Sequence, residues 1–366
     1  MSDSSNRYYS VDAYRGFTML AMISSGLGMS KLLLDPNWRW LADQFTHRDW
    51  IGCTFWDLIQ PSFMFLVGVS MPLAFGLRQQ RGETYKQQLH HALTRVFSLV
   101  VIGILLDSFG KNEPVIQFIR VLQQIALGYL VAFFTLRLKW QGQAGVAILC
   151  LAIHTALHLI HGGTNGNPWE RNYNFGYLLD VKINDFFKGL GLPTLFPPST
   201  GGYATTNAIS AAATIIGGVL CGELLRKKMA IQKELMIFVA AGASLLLVGW
   251  GLSFCLPMVK KVWTASFGLF SLGWTFLMLA GFHAIIEGFG WRKWAFPLVV
   301  AGLNSIILYV SSATLGGPFR SLLQPFTQNP LSVLADWAPV VLAMLVVTCH
   351  WTLAYFLYRR GIFFKA

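Results

Sequence analysis

The sequence predicts an all-α, polytopic transmembrane helical bundle of about ten spans, with both termini cytoplasmic. Three observations predict it. Of the 366 residues, 54% are hydrophobic and only 12% charged, where soluble domains carry about a quarter charged residues. Mean hydropathy is +0.52. The apolar residues also gather in runs long enough to cross a bilayer, which takes about 20 helical residues.

In chain order the runs lie near 16–34, 52–77, 92–109, 118–136, 143–161, 203–225, 235–256, 265–287, 295–315 and 338–358. Each closes its own backbone hydrogen bonds as a helix, which a bilayer requires. The connections are mostly short, so residues 1–366 read as one transmembrane domain. The exception is an extracytoplasmic loop at about 162–202, rich in Gly, Pro and Asn; loops of that length are usually functional. With the N-terminus inside, the inner segments hold 17 of the 28 Lys and Arg, and the outer segments hold ten of the 16 acids. That bias places the termini in the cytoplasm. The net charge of +12 sits in short clusters between apolar runs, which points to a lipid bilayer and not to nucleic acid. The polar start Met1–Ser10 shows no cleavable signal peptide. Cys53, Cys150, Cys221, Cys255 and Cys349 lie in or beside apolar runs without CxxC spacing, as small buried hydrophobes do.

Polar residues inside or at the mouths of spans are costly and are candidates for function. Asp12 and Arg15 lie three apart at the inner mouth of the first span, where they form an interfacial salt bridge or present an Arg to a phosphate-bearing ligand. His47 precedes the second span and suits a general base, or is an interfacial residue. Asp57 sits in the apolar run Phe55-Trp56-Asp57-Leu58-Ile59-Gln60-Pro61, where an unpaired carboxylate is expensive. It orients His47, pairs with an outer-mouth cation, or braces a helix at Pro61. Lys260 and Lys261 occupy an outer mouth beside Trp263, as a site or as snorkelling lysines. Asn304 is mid-span, as a site residue or an interhelical hydrogen bond. His154, His158 and His161 share a helical face, with no carboxylate or cysteine to complete a metal site; no metal is expected. Walker, GxGxxG, GxSxG and HExxH motifs are absent.

Five segments, in order, resemble the heparan-alpha-glucosaminide N-acetyltransferase family. They are Ser10-Val11-Asp12-Ala13-Tyr14-Arg15-Gly16; His47 to Gly68 with Asp57-Leu58-Ile59-Gln60-Pro61; Arg120 to Tyr129; Pro257 to Thr264; and Phe296 to Ile306. The resemblance covers nearly the whole chain and implies a short bacterial member, in the inner membrane. It implies an acyl-CoA-dependent acetyltransferase that moves an acetyl group from cytoplasmic acetyl-CoA to an amino sugar, of glucosamine type, near the other face. On it His47 becomes the general base or a transient acetyl carrier, oriented by Asp57. Asp12, Arg15, Gly16 and Asn304 would belong to the CoA side. Trp50, Lys260 and Trp263 would line the acceptor side. Relatives suggest a homodimer, which nothing in the sequence itself derives.

The chain also departs from the family pattern. Val259 stands where an Asn usually precedes the Lys, Ser24, Ser25 or Gly26 where an Asn is frequent, and Pro197-Pro198-Ser199-Thr200-Gly201-Gly202 where relatives often carry D-P-E-G. An O-acyltransferase of a cell-envelope glycan would use the same donor and base. A small-molecule or sugar transporter is the alternative of a different class, although the two halves show no internal repeat of the kind transporters carry.

Overall fold

The computed structural model describes residues 7–192, 194–199 and 201–364. Thr200, Lys365 and the polar start Met1–Asn6 lie outside the described residues. The chain forms α1 (Tyr9–Ile23), a 3₁₀ segment (Ser25–Leu34) and α2 (Arg39–Gln44), then α3 (Ile59–Gln80), α4 (Tyr85–Ser108), α5 (Val121–Thr135), α6 (Trp140–His161) and α7 (Phe175–Gly189). After these come α8 (Asn207–Arg226), α9 (Ile231–Leu252), α10 (Ala265–His283), α11 (Phe296–Leu303), α12 (Ser305–Ser332) and α13 (Ala338–Arg359).

Among the described residues eight helices are long and apolar enough to cross a membrane. They are α3 with its 3₁₀ lead-in, α4, α6, α8, α9, α10 with its π-helical extension, α12 and α13. Helix α1 with the 3₁₀ segment, bent by 55° where Gly26, Leu27 and Gly28 adopt left-handed backbone, has the length and composition of either a broken ninth span or a re-entrant loop. This is the multi-pass membrane bundle that the composition predicts. Two runs differ in detail. Run 118–136 yields only the 15 residues of α5, about 22 Å of helix and short of a hydrocarbon core of about 30 Å. Run 295–315 breaks at Asn304 (φ −120°, ψ 35°) into α11 and α12.

The core is the pair α3 and α8, buried along most of their length. They meet backbone to backbone. A Cβ on Gly68 would lie 1.9 Å from the Ile215 carbonyl oxygen, and one on Gly218 would lie 2.0 Å from that of Phe65. In lipid the hydrophobic effect does not drive helices together, so such close approach of small residues supplies the packing. Phe97, Leu105, Ile148, Ile160, Met236 and Leu247 are exposed on α4, α6 and α9, the lipid-facing periphery. The long 162–202 connection is partly ordered by α7, whose first turn is capped by Asn174 accepting from the Tyr177 amide (3.1 Å). It packs over the end of the bundle where α3, α8 and α10 begin.

Candidate active site

Thr54-Phe55-Trp56-Asp57 is a capping box at the start of the α3 span. The Thr54 amide donates to Asp57 Oδ2 (3.1 Å), and the Arg48 amide donates to the same oxygen (3.2 Å). A carboxylate fixed there also sits at the positive end of the helix dipole. The other oxygen, Oδ1, receives His47 Nδ1 at 2.8 Å and Lys260 Nζ at 3.3 Å. Lys260 Nζ is also 3.0 Å from His47 Nδ1. The side chains of Asp57 and Lys260 are 0% and 8% exposed, whereas that of His47 is 50% exposed. The three residues thus form a buried carboxylate–amine contact carrying a half-open imidazole. Among the described residues nothing hydrogen-bonds His47 Nε2, which leaves it free for chemistry.

Lys260 reaches this position because its loop is pinned at several points. Gly52 donates its amide to the Met258 carbonyl (2.8 Å), and Val259 bridges Ile51 and Gly52. Asn207 Nδ2 donates to the Lys261 carbonyl (2.7 Å), and Ser210 Oγ to that of Trp263 (2.6 Å). Trp263 holds φ +57°, an uncommon and strained state for a bulky residue. It is 1% exposed and its Nε1 has no partner among the described residues, so it stands as a buried wall behind the loop. Trp50 donates Nε1–H to the Trp169 carbonyl (3.0 Å), and the Arg171 guanidinium lies 4.8 Å over its ring. A Cβ at Gly202 would approach that ring to 2.5 Å, so Trp50 is a packing post under the 162–202 connection. Arg171 and Lys261 share Asp49 (2.7 and 3.9 Å). Burial, with the negative charge of Asp57, pushes the Cys53 thiol up to about 12; it stays a thiol and is no competing nucleophile.

Asp12 and Arg15 meet at the opposite end of the bundle. Asp12 pairs with Arg7 and with Arg15 (3.0 Å), and Arg15 also donates to Ser70 Oγ on α3 (2.5 Å). Arg95 on α4 lies within electrostatic reach of Arg15 and over the Tyr129 ring (5.0 Å). Gly16 faces α11: a Cβ there would sit 1.7 Å from the Leu298 carbonyl oxygen. Asn304 is buried, donating Nδ2–H to the Ile362 carbonyl (3.3 Å) and accepting from the Phe364 amide (3.2 Å). Gly16 therefore serves a helix crossing, and Asn304 fastens the segment after α13. Further polar side chains gather at the His47 end of the bundle, in the first turns of α3 and α5 and the last turn of α4. Gln60 donates to Gln124 (3.2 Å), Asp107 holds Arg120 (3.2 Å) and Gln123 (2.9 Å), and Tyr309 lies within electrostatic reach of Arg120 and Asp107.

Sequence reasoning missed Thr54, although its S/T-x-x-D spacing was visible. It also missed Ser70, Arg95 and Tyr129, which no local pattern ties to Arg15, and Tyr203, which lies within electrostatic reach of Asp57 and Arg120. Among the described residues no group of three His, Cys, Asp or Glu is arranged to hold a metal ion. The His154 and His158 rings lie 4.4 Å apart, and His158 stacks on Trp169 at 5.3 Å.

Comparison with known proteins agrees with the motif order. A family model described as heparan-alpha-glucosaminide N-acetyltransferase, catalytic, matches residues 7–188, the stretch that carries Asp12, Arg15, His47 and Asp57. The human heparan-alpha-glucosaminide N-acetyltransferase is 24% identical over 426 residues, covering 98% of this chain and 60% of the human protein. The mouse protein of the same name is 32% identical over 103 residues, covering 28% of this chain and 14% of its own. The chain thus spans about 60% of the length of the human relative. With the motifs in order, the bundle formed and the family model matched, the chain belongs to the heparan-alpha-glucosaminide N-acetyltransferase family.

Proposed function

We propose that the protein is an acetyl-CoA-dependent N-acetyltransferase of a bacterial inner membrane. Acetyl-CoA enters from the cytoplasmic side, and an amino sugar of glucosamine type accepts the acetyl group near the extracytoplasmic side. The observation that carries this reading is the His47–Asp57 contact of 2.8 Å at the bundle end opposite the basic group Arg7, Arg15 and Arg95.

The basic group suits the phosphates of CoA, which cannot enter hydrocarbon, and guanidinium groups bind phosphate through paired hydrogen bonds. A slender pantetheine arm would have to reach from there to the His47 end, where Gln60, Gln124, Gln123 and Asp107 supply polar side chains at the ends of α3, α4 and α5. At the other end Asp57 accepts His47 Nδ1–H, which fixes the tautomer and leaves Nε2 as the base. In direct transfer the acceptor amine attacks the thioester carbon and Nε2 takes its proton. The C–S bond then breaks, and the proton passes from Nε2 to the departing thiolate. In the two-step version Nε2 itself attacks the thioester carbon, the C–S bond breaks to release CoA thiolate, and Nε2 holds the acetyl group until the amine displaces it. Asp12 remains the partner that aligns Arg15. Lys260, Trp263 and Trp50 build the wall of the acceptor side.

The test is acetyl transfer to glucosamine by the purified protein, followed as free CoA and N-acetylglucosamine, with His47→Ala beside it. The reading predicts glucosamine-dependent product that the variant lacks. Acetyl-CoA turnover without acetylated sugar would move the search to other glycan acceptors, including hydroxyl acceptors. No turnover of acetyl-CoA at all would defeat the reading.

A further inference from the structure

His47 Nδ1 has two neighbours that make incompatible demands on it. Asp57 Oδ1, at 2.8 Å, requires a proton on Nδ1; a Lys260 ammonium, at 3.0 Å, requires a lone pair there. One nitrogen satisfies one demand at a time. With Nδ1–H donated to Asp57, Nε2 is a free base, and Lys260 Nζ is then either an ammonium turned to Asp57 Oδ1 (3.3 Å) or a neutral amine whose lone pair faces the ring. With Nδ1 accepting from an ammonium, Nε2 carries the proton and the ring is no longer a base. Lys260 is not needed to satisfy Asp57, whose oxygens already receive the Thr54 and Arg48 amides and the imidazole.

We propose that Lys260 is the proton partner of His47, taking the Nδ1 proton when Nε2 acquires a proton or an acetyl group and returning it when Nε2 is released. This rests on the acetyltransferase reading above. The exchange balances within the protein. A neutral Nζ amine becomes an ammonium as Nδ1–H becomes a lone pair, and the new positive charge lies 3.3 Å from Asp57 rather than on the imidazole. In the acetyl-carrier version the same transfer converts an acetylimidazolium into neutral acetylimidazole. When the acetyl group passes to the amine, Lys260 returns the Nδ1 proton, and the proton shed by the amine goes to solvent, matching the one the departed CoA thiolate takes up. Lys260 thus acts through His47 as a positioning residue.

The surroundings favour an amine that can lose its proton. Burial lowers the affinity of Lys260 for its proton, Asp57 opposes this, and Lys261 adds to it. The other charged or titratable groups near the dyad are accounted for. Arg48 is paired with Asp43, Asp49 with Arg171, Cys53 remains a thiol, and Tyr203 faces Asp57 and Arg120. None of them stands at hydrogen-bond distance from His47 Nδ1.

The experiment measures kcat and KM for CoA release against pH in the purified full chain and in Lys260→Arg and Lys260→Met. A guanidinium keeps the charge but does not give up its proton at any pH used. The expected result is that both variants lose kcat by about 10²-fold or more, the general size of a proton-transfer effect, with KM for acetyl-CoA within a few-fold. Arg should not rescue at any pH. Activity of Lys260→Arg near wild type would overturn the inference, because charge alone would then suffice. Should the variants fail to fold, nitrogen-15 NMR of His47 in the wild-type protein decides. Nδ1–H with a bare Nε2 is expected, and Nε2–H with Nδ1 as acceptor would overturn it. Wild-type protein that turns over no acetyl-CoA defeats the acetyltransferase reading instead, and the NMR result separates the two failures.

Discussion

At the scale of single residues, the site depends on one imidazole whose orientation is set by a carboxylate that the helix start itself fixes. Replacing His47 with Ala should lower acetyl transfer by about 10²–10⁴-fold, the usual contribution of a positioned base, with acetyl-CoA binding retained. Asp57→Asn should cost nearly as much. The amide offers Nδ1 no negative partner, and its NH₂ competes as a donor for the same nitrogen. Both are read from kcat of CoA release, and a wild-type rate in either variant contradicts the orientation described. The sequence made His47 and Asp57 legible as candidates because an acid in an apolar run demands a partner. It did not make legible that the partner set includes Lys260, which lies 203 residues beyond Asp57 and reaches it through a loop pinned by Gly52, Val259, Asn207 and Ser210. Gly16 and Asn304 also fall in family motifs, and the structure adds a helix crossing at one and a tether to the segment after α13 at the other, contacts that no local spacing encodes.

At the scale of elements, close crossings hold the spans and a buried acid ties the covering connection. Gly16 on α1 and Gly302 on α11 approach each other's backbone: a Cβ on Gly302 would lie 2.1 Å from the Asp12 carbonyl oxygen. Gly16→Ala should therefore destabilise the protein by about 1–3 kcal/mol and lower its thermal midpoint in detergent. It should also move Asp12 and Arg15, raising KM for acetyl-CoA more than it lowers kcat. Asp180 on α7 accepts from the Thr205 amide (2.9 Å) and is 1% exposed. Burial raises its pKa from 3.8 to about 6, against the opposing Thr205 hydrogen bonds. A carboxyl with a raised folded-state value binds its proton more tightly folded than unfolded. Its contribution is therefore full below 3.8 and is lost as pH rises through about 6. Thermal midpoints of wild type should accordingly fall over that window relative to Asp180→Asn, and parallel curves would contradict the assignment. Helix α7 was hidden in the sequence because a 15-residue amphipathic turn of chain inside a Gly- and Pro-rich stretch resembles loop on composition alone. The long spans were legible because an apolar run of about 20 residues matches the thickness of a bilayer and seldom serves any other purpose. The 55° bend after α1 was not, because it depends on left-handed residues that hydropathy does not report.

At the scale of the whole molecule, the two polar centres lie at opposite ends of one bundle, so donor and acceptor should be served from opposite faces. In sealed inverted membrane vesicles acetyl-CoA added outside should support acetylation of glucosamine trapped within. Right-side-out vesicles should require acetyl-CoA inside. Equal rates from both faces would contradict the sidedness. A sugar transporter would move glucosamine without consuming acetyl-CoA, and its rate would not depend on a base at His47. The central claim is that His47, held by Asp57, performs acetyl transfer from acetyl-CoA. The most direct measurement is free CoA released from acetyl-CoA by the purified protein, with and without glucosamine, in wild type and His47→Ala. Glucosamine-dependent release that collapses in the variant is the predicted result; undiminished release by His47→Ala, or none by wild type, would contradict it.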